Sequence, residues 1–388
     1  MRAIYERRPF PSVIPAKRWV LPPPEWIGAL WQSVPRRILV AGCGTGAEAF
    51  ALARRFPRAS VVAVDFSPRS IAIARERGKR LRVGRRIRFR VADLSTPRLA
   101  NATGAGFDLV TCHGVLSYVP APGRVLANLY RLIASGGALY LGVNGTTHAS
   151  ATTRPMLAKL GFDVRELHDG PRLRDALRLC DNMQGRRGKE RIAAYDVGLL
   201  AGDLFGPLIH DLDLSSWLRL ARRAGFHFQG AFDAWDAVTR GLSGQEGHAL
   251  FPKARGEVAE IAGLVSPAAF HRLLFTRDPV PNPPWKARRR LLEWRIVPTS
   301  CWTVRLPKRS ANGRAIRRVA LANPAMRIDW RAPEWLLEIL RRSDGRRTLA
   351  EALARVPRDA LPAELERELY VLHQLLVITA VPGVSPSC

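Results

Sequence analysis

The residues best placed to do chemistry are glycines. Gly42-Cys43-Gly44-Thr45-Gly46 follows the apolar run Ile38-Leu39-Val40 and precedes AEAFALARRF, a stretch with helical character. A loop so poor in side chains lets a ligand lie against bare backbone at a helix N-terminus, where larger residues would collide with it. Further on, VVAVD ends in Asp65, whose carboxylate can accept both hydroxyls of a ribose. A dinucleotide enzyme also places an acid there, so the pair leaves two ligand classes open. The third glycine, however, falls one residue early for the G-x-G-x-x-G turn around a pyrophosphate. Ala92-Asp93-Leu94 then supplies a second carboxylate, placed to accept a hydrogen bond from an adenine amino group.

These residues need a scaffold that brings strand ends together. ILVAG, VVAVD, IRFRVAD, FDLVTCHG and ALYLGV are β-branched and apolar enough for strands buried on both faces. Helical stretches alternate with them: AEAFALARRF, a helix opening at Ser67 with Pro68 in its first position, and VLANLYRLI. That alternation predicts an α/β fold with a doubly wound, mostly parallel sheet. Before it, residues 1–35 form a proline-rich segment, expected to be an extended arm or cap because Pro9, Pro11, Pro15 and their successors block continuous helix. The sheet domain is expected over 36–240, with a mixed helix-and-loop insertion at 146–210. SSWLRLARRAGFHFQGAFDAW supplies its last helix and edge strand. Residues 241–284 read as a helical segment, FPKARGEVAEIAGLVSPAAFHRLLF, running into a linker at Pro279, Pro281, Pro283 and Pro284. A basic C-terminal domain over 285–388 would hold short helices and a closing strand, VITAV, in a winged-helix-like module.

LVAGCGTG, VVAVDFSP, VADL, FDLVTCHGVL and LIASGGALYLGV, in that order, resemble the class I S-adenosylmethionine-dependent methyltransferases across roughly residues 36–145, with a weaker echo at 212–235. The resemblance implies a Rossmann-like sheet of the seven-stranded type and S-adenosyl-L-methionine as cofactor. It implies that Gly42, Cys43, Gly44 and Gly46 pass under the methionyl and ribose parts, and that Asp65 holds the ribose with Phe66 against the adenine. Asp93 would meet the adenine amino group, Leu94 would pack beside it, and Cys112 would face the methionine end. Methyl transfer is an in-line displacement, so the protein supplies mainly alignment and desolvation. A base is needed only for a protonated amine or a hydroxyl acceptor. His113, at the carboxyl end of the fourth strand, is the candidate catalytic base; Tyr118 and His148 lie on the same rim and can shape the acceptor side.

Composition narrows the alternatives. The chain has 388 residues and a net charge of +28, with 47% hydrophobic and 24% charged residues, which fits a folded protein of two or three domains. No apolar run is long enough for a membrane span and MRAIYERRPF has no apolar signal core, so a cytoplasmic location is expected. Five scattered cysteines, none in a C-x-x-C pair, and histidines without ligand spacing argue against a disulfide framework or a metal site; reduced, buried thiols are expected. Cations cluster at 75–90 and 285–347, the second with Trp285, Trp294, Trp302, Trp330 and Trp335 interleaved. We read these as solvated surface, with a polyanion partner as the alternative.

The methyl acceptor is expected to be a protein or peptide, or a small molecule, offering an amine or similar nucleophile. An RNA methyltransferase and a non-enzymatic, cofactor-binding partner subunit are the other readings. The chain lacks the N-P-P-F/Y type of loop after its fourth strand, which disfavours base-amine chemistry.

Overall fold

The computed structural model describes residues 2–7, 9–11, 34–162, 171–187, 192–194, 200, 202–204, 206–231, 249–298, 303–305, 319–323, 328–332, 339, 342–343, 345–354, 356, 365–374 and 378–381. The chain divides into two compact units, one of residues 1–21, 35–234 and 259–279, the other of residues 22–34, 235–258 and 280–388.

The first unit is the expected layered α/β structure. After a short helix α1 (Arg2–Arg7), strand β1 (Arg37–Ala41) leads through the glycine loop into α2 (Ala47–Arg55), then β2 (Ser60–Asp65), α3 (Pro68–Arg80) and β3 (Ile87–Val91). Next come α4 (Leu99–Thr103), β4 (Phe107–His113), α5 (Pro122–Leu132) and β5 (Ile133–Asn144). Helices α6 (Ala149–Lys159) and α7 (Pro171–Met183) lie in the predicted insertion, and α8 (Leu214–Arg223) runs into β6 (His227–Ala231). Helix α9 (Arg255–Val265) precedes β7 (Phe270–Thr276).

The sheet has seven strands in the order β3-β2-β1-β4-β5-β7-β6. The first five pair in parallel, and β7 runs antiparallel to both β5 and β6. Burial follows position: β1 and β2 are buried at every residue after the first, whereas in edge strand β3 only Ile87 and Phe89 are buried, with Arg88, Arg90 and Val91 exposed. The helix cap read from sequence is present, Ser67 Oγ accepting the Ser70 amide at 3.1 Å with Pro68 next in the chain.

Two expectations need correction. AAFHRLLF is not helical: β7 spans it and sits inside the sheet between β5 and β6. Leu273, Leu274 and Phe275 carry no β-branch, so the segment looked helical on its own; burial between two strands overrides that preference. Likewise, α1 is a helix within the arm expected to be extended, because its six residues all precede Pro9. Residues 12–33 of that arm lie outside the described residues.

In the second unit, α10 (Arg288–Leu292) is followed by β8 (Arg295–Pro298), β9 (Thr303–Arg305), β10 (Val319–Asn323) and β11 (Ile328–Ala332). Helices α11 (Leu349–Leu353) and α12 (Leu365–Gln374) then lead to β12 (Ile378–Val381). β9, β10 and β11 form an antiparallel sheet, and the predicted closing strand β12 pairs with β8. The Thr348–Glu351 capping box that opens α11 lies within the stretch read as winged-helix-like. Cys301, Cys388, Trp302 and Trp335 fall outside the described residues, as does much of the second cation cluster. Among the described residues no helix is long and apolar enough to cross a membrane.

Candidate active site

A cavity of about 570 Å³ opens at the carboxyl ends of β1 to β5, where a parallel sheet leaves its loops free to converge. Gly42, Cys43, Gly44, Asp65, Phe66, Asp93, Leu94 and His113 all line it. Gly46 and Cys112 do not. Gly46 turns inward, where an added Cβ would lie 2.6 Å from the Phe50 ring, and Cys112 is 0% exposed in β4. Cys43, Cys112 and Cys180 are free, buried thiols, and burial raises the pKa of the first two.

The glycine loop contributes shape, not free donors. Gly42 and Cys43 both donate to Val64 O at 2.8 Å, Gly44 donates to Asp65 Oδ2 at 2.9 Å and Gly46 to Cys43 O at 2.9 Å. Thr45 N donates at 3.0 Å to the carbonyl of Phe10, which belongs to the N-terminal arm. That same carbonyl oxygen lies 2.3 Å from where a Cβ on Gly44 would sit, at φ +49°. At Gly44 the missing side chain therefore leaves room for the arm. Thr45 Oγ1 and Arg77 both donate to Pro11 O, at 2.7 and 3.0 Å, and Arg69 donates to Glu6 O at 2.9 Å. Tyr5, Phe10 and Pro11 consequently join the cavity wall, with the Tyr5 ring edge-on to Phe66 at 5.9 Å.

The acids are the distinctive lining. Asp65 accepts from Gly44 and, through Oδ1, from the Ser67 amide at 3.0 Å; burial raises its pKa against these bonds, which lower it. Asp93 is exposed at the rim and accepts from Ser95 N at 2.8 Å and Ser95 Oγ at 2.5 Å. Glu48, in the first turn of α2, is 4% exposed, its Oε1 has no hydrogen-bond partner, and burial pushes its pKa up to about 7. Asp203, from the insertion, accepts the Tyr118 hydroxyl at 2.8 Å, and burial raises it to about 6. The lining thus holds Glu48, Asp65, Asp93 and Asp203 and, among the described residues, no lysine or arginine.

Tyr118 and Asp203 belong to a connected polar group. The Tyr118 hydroxyl lies 3.2 Å from Asn144 Nδ2, which donates to Asp211 Oδ1 at 3.0 Å. Asp211 Oδ2 accepts from Ser150 Oγ at 2.6 Å, and His148 Nδ1 is 2.7 Å from that hydroxyl. Asn144 is pinned at both ends of its peptide: its amide donates to Ser117 Oγ at 2.8 Å and its carbonyl accepts from Trp217 Nε1 at 2.9 Å. Tyr118, Asn144 and His148 line the cavity, with Pro207, Leu208 and Phe270 as apolar neighbours.

His113 is in the cavity but in an environment unsuited to a base. Its Nδ1 is 3.1 Å from the Tyr140 hydroxyl, its ring stacks on Tyr140 at 5.6 Å and packs on Phe270 at 5.0 Å. Burial, and then the charge of Arg272, pull its pKa down to about 4. Tyr5, Phe10 and Pro11, from the segment readable in the sequence as an arm able to fold over the site, do line it, whereas sequence reasoning overlooked Glu48, Asn144 and Asp203. Glu48 sits two residues after the loop and Asn144 directly ends ALYLGV, so the rim rule that found His113 would reach both; Asp203 carries no local signal.

Residues 39–139 match the model of a methyltransferase domain. Over 113 residues the chain is 36% identical to a ubiquinone biosynthesis O-methyltransferase of Paracidovorax citrulli, covering 29% of this chain and 45% of that one. It is 42% identical over 107 residues to an uncharacterized protein of Synechococcus, covering 28% and 25%. The chain thus spans less than half the length of these relatives. The fold resembles PKMT2 from Rickettsia typhi, whose complex with AdoHcy matches at TM-score 0.58 and 15% identity over 93% of this chain and 75% of that one.

Proposed function

We propose that this chain, which carries a class I S-adenosylmethionine-dependent methyltransferase domain, methylates an amino group that enters beside Asp203 on a protein, a peptide or a small amine. The observation that carries this reading is the charge of the cavity: four carboxylates and no cation in the described lining of a protein of net charge +28. Such a lining selects positive ligands on both sides of the transfer.

The residues fit the cofactor by their donor set. Asp65 would hold the ribose hydroxyls on lone pairs left by the Gly44 and Ser67 amides, with Phe66 and Leu94 against the adenine and Asp93 at its amino group. Gly42, Cys43 and Gly44 would form the floor under the methionyl part. Glu48, buried with an unsatisfied Oε1, would take the positive ammonium of the methionyl group as the counter-charge it lacks. S-adenosylmethionine supplies an electrophilic methyl on a sulfonium. The chain's part is to orient the acceptor, exclude water and handle a proton. Asp203, a carboxylate above about pH 6, would accept a proton from the entering ammonium, steadied by the Tyr118 hydroxyl. The freed nitrogen lone pair would form the bond to the methyl carbon as the carbon–sulfur bond breaks, and the positive charge would pass from sulfur to nitrogen. His113 would pack against the ligand without accepting a proton.

A hydroxyl acceptor is the second reading, favoured by the O-methyltransferase relative and by the apolar Phe270–Leu208 side of the cavity. Methyl-labelled cofactor, incubated with cell extract split into protein, RNA and small-molecule fractions, separates these. Label on protein or small-molecule nitrogen supports the proposal; label on hydroxyl oxygen supports the second reading; label in RNA refutes both.

A further inference from the structure

The second unit has a concavity of its own, with the opposite chemistry. A cavity of about 300 Å³ is walled by residues 252–255, residues 282–287, His373 and Gln374. Lys253, Arg255 and Lys286 line it and, among the described residues, no aspartate or glutamate does. Three cations facing one small space repel each other unless an anion joins them.

Arg255 and His373 set the donor pattern. Arg255 Nη2 donates to the carbonyl of His373 at 2.7 Å and lies 3.0 Å from its ring Nε2. A guanidinium can only donate, so Nε2 is the acceptor and the ring proton sits on Nδ1. His373 is 8% exposed, and this Nδ1 is buried with no hydrogen-bond partner. Burial, and then the charge of Arg255, hold the ring pKa well below its ordinary value, so the tautomer is neutral and fixed. Gln374 Oε1 is likewise buried without a partner, its Nε2 being held by a backbone carbonyl.

The wall around these donors is built. Trp285, itself buried, packs at 5.1 Å on the His373 ring and edge-on to Tyr370 at 5.7 Å. The Tyr370 hydroxyl lies 2.7 and 3.0 Å from the carbonyls of Leu250 and Lys253, and Gln374 Nε2 donates to Lys253 O at 3.3 Å. Those bonds fix the 250–255 segment against α12. Glu257 accepts the Ala254 amide at 2.8 Å, and Glu366 pairs with Arg288 at 3.4 Å.

We propose that this cavity binds a small ligand through a phosphate or carboxylate group, held by Arg255, Lys253 and Lys286, with Trp285 and the His373 ring as its wall. The shared chemistry is a multiply charged oxyanion, and the volume leaves room for a small body attached to it.

Calorimetric titration of the full chain with inorganic phosphate and, separately, with succinate at physiological ionic strength tests this. We expect saturable binding of one anion: phosphate alone identifies a phosphorylated ligand, succinate alone a carboxylic one. K253Q/K286Q alters an exposed and a half-buried side chain. It should weaken that binding about fivefold or more, leaving the melting temperature and S-adenosylmethionine affinity unchanged. The proposal is overturned if neither anion saturates at millimolar concentration. It is also overturned if K253Q/K286Q binds like the wild type, since the general positive surface would then be the source of binding.

Discussion

The two cavities are opposites in charge. Among the described lining residues, the one at the sheet's carboxyl edge gathers four carboxylates and no lysine or arginine, and the one beside α12 gathers three cations and no carboxylate. Both occur in a chain of net charge +28. A basic concavity follows easily from that background; an acidic one runs against it and so needs a specific reason. The reason offered here is a pair of positive ligands, a sulfonium donor and an amine acceptor.

The comparison breaks most sharply at Asp203. Asp203→Asn keeps the shape and removes the charge, and turnover should fall about 100-fold or more while S-adenosylmethionine affinity stays within about twofold. Steady-state kinetics paired with calorimetry would show this split, and an equal loss in both would place Asp203 on the cofactor instead. In the wild type, kcat/KM should fall as pH drops below about 6, because protonation of Asp203 removes the carboxylate that accepts the ammonium proton.

Next in size is Asp65→Ala, which should weaken cofactor binding tenfold or more, since a buried carboxylate contact is on the order of 1.5–3 kcal/mol. Unchanged affinity in calorimetry would remove Asp65 from the ribose site.

Glu48→Gln should cost less, about three- to tenfold in affinity at pH 8. Its diagnostic effect is on pH dependence. A cationic ligand favours the ionised carboxyl, so wild-type affinity should rise with pH up to about 7 and then level off. The Gln variant should show a flat profile over that range. The smallest effect is expected for His113→Gln, less than about threefold on turnover, because a group whose pKa sits at about 4 is a poor acceptor for an amine proton.

The side of the acidic cavity lined by Gly42, Gly44, Asp65 and Asp93 was largely legible in the sequence, because it is built from strand ends and the residues just after them. Gly42, Gly44, Asp65 and Asp93 each follow a recognisable apolar run, and the parallel alternation forces those ends together. What the loop does with its amides was not legible. The sequence suggested bare backbone facing a ligand, whereas Phe10 covers Thr45 and the other amides turn back onto Val64, Asp65 and Cys43. The side around Asp203 was mostly hidden for a different reason. Asp203 meets Tyr118 across 85 residues, and no local periodicity encodes such a meeting. β7 escaped notice because its strand character comes from its two neighbours, not from its own residues.

The central claim, a cavity charged to hold a sulfonium nucleoside, is tested most directly by titrating the purified chain with S-adenosylmethionine at pH 7 in two buffers of different ionisation enthalpy. We predict saturable binding with release of a fraction of a proton, as ionisation of Glu48 is drawn to completion, and no such release in Glu48→Gln. Absence of binding, or preferential binding of a nicotinamide dinucleotide, would contradict it.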